Sequence, residues 1–179
     1  MSTTKPDRRN FLRRGLGGVA AAGVAGAAAL PASAQAPRMR MQPPGKKVIY
    51  KPGEEPSPTR ILSSGIQFGR LLFVSGQGAH DPKTHKVVEG PFSNQVRQCL
   101  ENVKAVLEAG GSSLDRVLKC LVFLTDISKF KEMNEVYHTF FPTEPPARST
   151  VAVKDLPGDS PVEIECVAYV ERMPRAPAM

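Results

Sequence analysis

An α+β fold, a mixed β-sheet with two helices packed on one face, is the architecture the sequence predicts, and three observations predict it. Two stretches, Ser93 to Ala109 and Phe130 to Phe141, carry apolar residues at helical spacing. Apolar runs bounded by turn residues read as strands around them. The order is strand, strand, helix, strand, helix, strand, strand, which leaves both helices free to cover the same face.

The first pair of strands falls within Ile61-Leu62 and Gly65 to Gln77, joined at Gly69-Arg70 as a tight hairpin. Leu71-Leu72-Phe73-Val74 is continuously apolar, so it needs cover on both faces. Ser75-Gly76-Gln77 ends that strand, and a glycine there lets backbone N–H groups approach a ligand, although a plain bulge or turn is the commoner reason for one. His80-Asp81-Pro82-Lys83-Thr84-His85 follows as a turn. Its histidines have no third firm ligand and no convergent geometry, so no metal site is expected.

In the first helix Val96, Cys99, Leu100, Val103, Val106 and Leu107 form the buried stripe, and Gly110-Gly111 supplies the stop. Arg116 to Thr125 is an apolar strand long enough for the middle of a sheet. Asp126 or Ser128 caps the second helix, whose stripe of Phe130, Met133, Val136, Tyr137, Phe140 and Phe141 reads as core, and Pro142 ends it. Because 71–74 and 117–124 are apolar on both sides, the sheet face away from the helices is expected to pack against another copy of the chain.

The last two strands carry the candidate chemistry. Arg148, in Pro146-Ala147-Arg148-Ser149-Thr150, stands at the mouth of a strand, where its planar fork of donors suits a carboxylate. Glu163 lies in Val162-Glu163-Ile164-Glu165-Cys166, a strictly alternating strand, after a turn at Asp155-Leu156-Pro157-Gly158-Asp159. If these strands are neighbours, Arg148 and Glu163 approach one cavity, a cation for an acid beside a carboxylate for a water.

The 179 residues, 41% hydrophobic and 23% charged, suit one globular domain plus an N-terminal extension. Residues 1–36 hold Lys5, Arg8, Arg9, Arg13 and Arg14 against Asp7, so of the +7 formal charge the rest of the chain, with 19 basic and 16 acidic residues, keeps only +3. That removes the main support for nucleic-acid binding. Cys99, Cys120 and Cys166 sit in apolar patterns without a C-x-x-C spacing and read as buried thiols rather than a disulfide framework.

Asp7-Arg8-Arg9-Asn10-Phe11-Leu12-Arg13, followed by a small-residue apolar run from Gly15 to Leu30, resembles a twin-arginine export signal. Comfortable membrane spans need about 20 strongly apolar residues, and this run is too short and too rich in Ala and Gly. Cleavage after Ala36 or after Ala34 fits the small-x-small rule, so the mature protein is expected in the periplasm or otherwise exported, with no stable membrane anchor. Residues 37–56 follow as a Pro-rich arm holding at most one edge strand around Val48-Ile49-Tyr50. The compact domain covers 57–172 and a short tail covers 173–179.

Ser75-Gly76-Gln77, Asp81-Pro82-Lys83-Thr84, Asn134 with Tyr137 and Phe140-Phe141, Pro146-Ala147-Arg148-Ser149 and the Glu163-Ile164-Glu165 strand together resemble the reactive intermediate deaminase (RidA, YjgF/YER057c/UK114) family over about residues 57–172. The resemblance implies a chorismate-mutase-like fold, a homotrimer with clefts between subunits, and cofactor-free hydrolysis of enamines and imines such as 2-aminoacrylate and 2-iminobutanoate to 2-keto acids and ammonia. It implies that Arg148 clamps the substrate carboxylate and Glu163 orients the water. Gly76 offers its N–H, and Ser75, Asn134, Leu62 and Thr150 line the cleft.

Leu62 stands where many members have a tyrosine, and Thr150 where a cysteine often follows the Arg-Ser pair. Leu62 and the export signal keep a second reading open, a binding protein that captures a small carboxylate without turning it over. RNA cleavage, a third reading, is disfavoured by the small mature charge.

Overall fold

The computed structural model describes residues 45–171. The expected export signal at 1–36, the first part of the arm and the tail at 173–179 lie outside the described residues.

Six strands and two long helices follow one another: β1 (Lys46–Ile49), β2 (Gly65–Phe68), β3 (Leu71–Gly78), α1 (Phe92–Ala109), β4 (Val117–Leu124), α2 (Phe130–Phe140), β5 (Ala147–Ala152) and β6 (Val162–Tyr169). They form one mixed sheet in the order β1-β2-β3-β6-β4-β5, antiparallel throughout except for the parallel pair β4–β5. Parallel neighbours need a crossover, and α2 provides it.

The expected edge strand in the arm is β1, which begins ahead of Ser57 and contributes buried Ile49 to the core. Gly69 adopts a positive φ of 62° at the β2–β3 turn, which a glycine takes without strain. Ile61 and Leu62 lie outside β2, in the loop that precedes it.

Helix α1 stops where Gly111 takes a φ of 76°, with the Ser112 N–H donating to the Leu107 carbonyl at 2.8 Å and the Gly111 N–H to Glu108 at 3.0 Å. Before α2, Asp126 rather than Ser128 is the capping acceptor, since its carboxylate takes both the N–H and the hydroxyl of Ser128. That cap opens a short 3-10 turn, Ile127–Lys129, which runs directly into α2.

One side of the sheet and the two helices enclose the core, in which Leu72, Leu100, Leu107, Leu124, Met133 and Ile164 are fully buried. Each such side chain contributes about 1.5–3 kcal/mol by leaving water. Helix α1 packs on β3 and β6 and against α2, so both helices lie on the same face.

The other face is open in the protomer. Phe68 opposite Leu71, Phe73 opposite Val167, and Phe123 opposite Val151 make a band of apolar residues across it, with Phe68, Leu71, Phe73 and Val151 exposed. Exposed apolar area this continuous is what an association surface looks like.

The strand order corrects one expectation. β5 and β6 are not neighbours, because β4 runs between them: Cys120 pairs with Arg148 on one side and with Cys166 on the other. A turn such as Pro157–Asp159 permits a hairpin but does not enforce one, and the apolar strand β4 takes the doubly covered position instead.

Candidate functional site

Arg148 is the second residue of β5 and shares a register row with buried Cys120, so its side chain enters the helix layer. There its Nη2 donates to the Asn134 Oδ1 of α2 at 2.6 Å, and its Nη1 points to the Met133 sulfur at 3.9 Å. The guanidinium stacks over the Tyr137 ring at 4.5 Å and lies 5.6 Å from that of Phe130. Among the described residues no carboxylate reaches salt-bridge distance of it.

A cavity of about 350 Å³ opens beside this cation, lined by Asn134, Tyr137, His138, Phe141, Pro146 and Arg148. Thr150, two residues further along β5 and on the same face, keeps a buried hydroxyl with no hydrogen-bond partner. The Tyr137 hydroxyl likewise has no hydrogen-bond partner among the described residues and sits by the Cys120 thiol, and burial pushes the pKa of both groups up. Buried hydroxyls without partners mark places where a water or a ligand is wanted.

Glu163 starts on the other side of the sheet. It pairs with Gly78 on β3 and Phe123 on β4, and its carboxylate lies against Gly76. The β3–β6 register shifts between Val74 and Gln77, a bulge that leaves Ser75 and Gly76 outside ladder pairing. A Cβ at residue 76 would overlap the Glu163 carboxylate, so glycine is required by close approach. Burial first, and the Glu165 charge second, push the Glu163 carboxyl above its ordinary value of 4.5, against a smaller opposing pull from His80.

The His80 Nε2 lies 2.8 Å from the Gly158 carbonyl, so this nitrogen carries the proton and donates. Among the described residues no group of three or more His, Cys, Asp or Glu is placed to hold a metal.

The seven expected site residues thus fall into two groups. Arg148 and Asn134 line the helix-side cavity, and Thr150 follows Arg148 on the same face of β5. Gly76, Ser75, Leu62 and Glu163 gather at the bulge. Glu163 is two strands from Arg148 and three residues along, since its row continues through Phe123 to Val151. Sheet spacings put the two Cα atoms about 14 Å apart, and the odd offset puts the side chains on opposite faces.

Ser75 spends its hydroxyl on the Ser63 carbonyl at 2.6 Å, so it holds the loop rather than a ligand. Leu62 is 61% exposed and borders a second cavity of about 570 Å³ with Gly76, Gln77 and His80. Tyr137, read as core from its helical spacing, is also a wall of the Arg148 cavity. Its position three residues after Asn134 was the signal.

This sheet with its paired helices, an arginine with no carboxylate partner among the described residues in one cavity, and a carboxylate at a glycine bulge define a small α+β protein. The chain belongs to the RidA/YjgF family, and its sheet and helices form the YjgF-like, chorismate-mutase-like fold: the family model described as Endoribonuclease L-PSP matches residues 52–170. A RutC family protein of Pyrococcus horikoshii is 46% identical over 126 residues, covering 70% of this chain and 99% of the relative. The 2-iminobutanoate/2-iminopropanoate deaminase of Dermatophagoides farinae is 36% identical, covering 70% and 98%. Among solved structures, Escherichia coli TdcF with bound serine matches with a TM-score of 0.63 at 36% identity, covering 70% and 99%. The yeast protein YEO7 matches with a TM-score of 0.66 at 38% identity, covering 71% and 100%.

Proposed function

We propose that this protein hydrolyses reactive 2-imino and 2-enamino acids, such as 2-iminobutanoate and 2-aminoacrylate, to 2-keto acids and ammonia without a cofactor. The observation that carries this reading is the Arg148 guanidinium, held by Asn134 and two aromatic faces and with no carboxylate partner among the described residues. It is a preset clamp for the acid end of a small substrate. An imine carbon is already electrophilic, so positioning and proton handling suffice.

An enamine first takes a proton at its terminal carbon and becomes the iminium ion. Water, oriented by Glu163, then adds to the iminium carbon and gives up a proton to the carboxylate. Glu163 returns that proton to the amine nitrogen, the carbon–nitrogen bond breaks, and the hydroxyl proton passes to the departing ammonia as the carbonyl of the keto acid forms. The raised pKa of Glu163 fits a group that must both take and return a proton.

The two halves of the site lie on opposite faces of one sheet, so the working cleft in this reading joins Arg148 of one copy to Gly76 and Glu163 of the next. The apolar open face supports such an assembly, and the homotrimer is the closed form proposed. The twin-arginine segment places this activity outside the cytoplasm in the same proposal, where the imine source would differ from cytoplasmic enzymes.

The test is residues 37–179 added to an amino-acid oxidase that generates 2-imino acids in the presence of semicarbazide. Less trapped imine and more keto acid, dependent on Arg148, is the expected outcome; no acceleration with several amino acids overturns the reading. The exposed Leu62 favours a second reading, since it brings no hydroxyl to the cleft. In that reading the protein binds small carboxylates without turnover, and calorimetric binding of 2-keto acids by an inert protein is its signature.

A further inference from the structure

The loop between β1 and β2 carries a charge network centred on Glu54. Its Oε2 accepts the Lys51 backbone N–H at 3.1 Å and the Ser64 hydroxyl, and lies 3.4 Å from the Arg60 guanidinium. Its Oε1 faces the Lys51 ammonium at 3.7 Å. Arg60 is itself fixed, stacking over the Tyr50 ring at 5.4 Å and donating from Nε to the Glu55 carbonyl at 3.1 Å. Burial opposes ionisation of Glu54, but these bonds and charges outweigh it and hold the carboxyl below its ordinary range.

The network does not end in the loop. The Lys51 ammonium donates to the Oε1 of buried Gln77 at 3.2 Å, and the Gln77 amide returns to the carbonyls of Ser75 at 2.9 Å and Gly76 at 3.2 Å. The Ser75 carbonyl and the Gly76 N–H belong to the same planar peptide, so whatever orients one orients the other. This peptide sits in the bulge, where neither residue has a register partner on β6. The Ser75 N–H and hydroxyl, bonded to the Ser64 and Ser63 carbonyls, tie the far end of the loop to the same place.

We propose that Glu54 is a positioning residue: through Lys51 and Gln77 it fixes the plane of the Ser75–Gly76 peptide and so aims the Gly76 N–H at the substrate. This rests on the deaminase reading of the site. A donor that holds the substrate equally in the ground and transition states changes KM and leaves kcat, whereas general loss of structure lowers the active fraction and hence kcat.

Glu54→Ala is therefore expected to raise the apparent KM for an oxidase-generated 2-imino acid about five- to tenfold, the value of one ordinary hydrogen bond, with kcat within about twofold of wild type. Glu54→Gln, which keeps the acceptor and the shape, falls between. In parallel, backbone hydrogen exchange in Glu54→Ala speeds up at residues 75–78 as well as at 51–64.

Exchange at 75–78 equal to wild type, or an unchanged KM, overturns the proposal. Lys51→Met cuts the link to Gln77 while sparing the bonds of Glu54 to Ser64 and Arg60, and gives the same two readouts if Glu54→Ala fails to fold. An inert wild type would remove the deaminase reading, and exchange at 75–78 would still decide whether Glu54 governs the bulge.

Discussion

Arg148 and Glu163 lie on opposite faces of one sheet, separated by β4 and displaced by three residues along it. No side-chain motion within a protomer brings a cation and a carboxylate together through a packed sheet, so a site using both draws them from two copies.

Arg148→Ala should lower kcat/KM by roughly 30- to 1,000-fold, the loss of about 2–4 kcal/mol of carboxylate binding, with the oligomer and circular dichroism unchanged. Arg148→Lys should recover only part of this, because an ammonium cannot present the paired donors of a guanidinium. The oxidase and semicarbazide assay measures both.

Mixing the two inactive chains is a sharper test. Arg148→Ala and Glu163→Gln, unfolded and refolded together in equal amounts, should regain about a quarter of wild-type activity, because one site in four then draws both intact residues from different chains. Failure of the mixture to exceed the separate variants would show that each protomer works alone.

The pH profile follows from the direction of the Glu163 shift. The carboxylate form takes the proton from water, so kcat/KM should rise with pH through a value above 4.5. Glu165→Gln removes the repulsion and should move that limb to lower pH. Stability has the opposite sign. With its folded-state pKa raised, Glu163 contributes stability that is full below its unfolded pKa and is lost as pH rises through the folded pKa. Glu163→Gln should flatten that part of the profile in thermal melts.

Gly76→Ala should cost about 1–3 kcal/mol in stability, since the new methyl group has to displace the Glu163 carboxylate. It should abolish turnover at temperatures where the chain remains folded, a loss that urea melts and the coupled assay separate.

Leu62→Tyr introduces the aromatic hydroxyl that the family resemblance leads one to expect, at a position 61% exposed, where a larger side chain meets little resistance. Turnover of small imino acids should rise, with stability unchanged within about 0.5 kcal/mol.

Local chemistry was legible in the sequence wherever one residue decides it. Gly69 marked the hairpin, Gly110-Gly111 the helix stop, and the stripe through Val96, Leu100, Val103 and Leu107 the buried side of α1. Strand order was not legible, because spacing along a chain does not encode which edge a strand joins. β5 takes the sheet edge, paired in parallel with β4 across α2, and β6 lies on the far side of β4. The candidate residues were found one by one, yet their division into two groups depends on that order. The Glu54–Lys51–Gln77 path was hidden for a similar reason, since its final bond spans 26 residues between a loop and a bulge.

The bare face of the sheet, with Phe68, Leu71, Phe73 and Val151 uncovered, has a consequence for how activity scales. If a lone chain holds only half a catalyst on each side, output per molecule depends on concentration, vanishing on extreme dilution and reaching a plateau once partners are saturated. Specific activity measured down a dilution series would then behave as a binding curve, and its midpoint would report how tightly the copies hold one another.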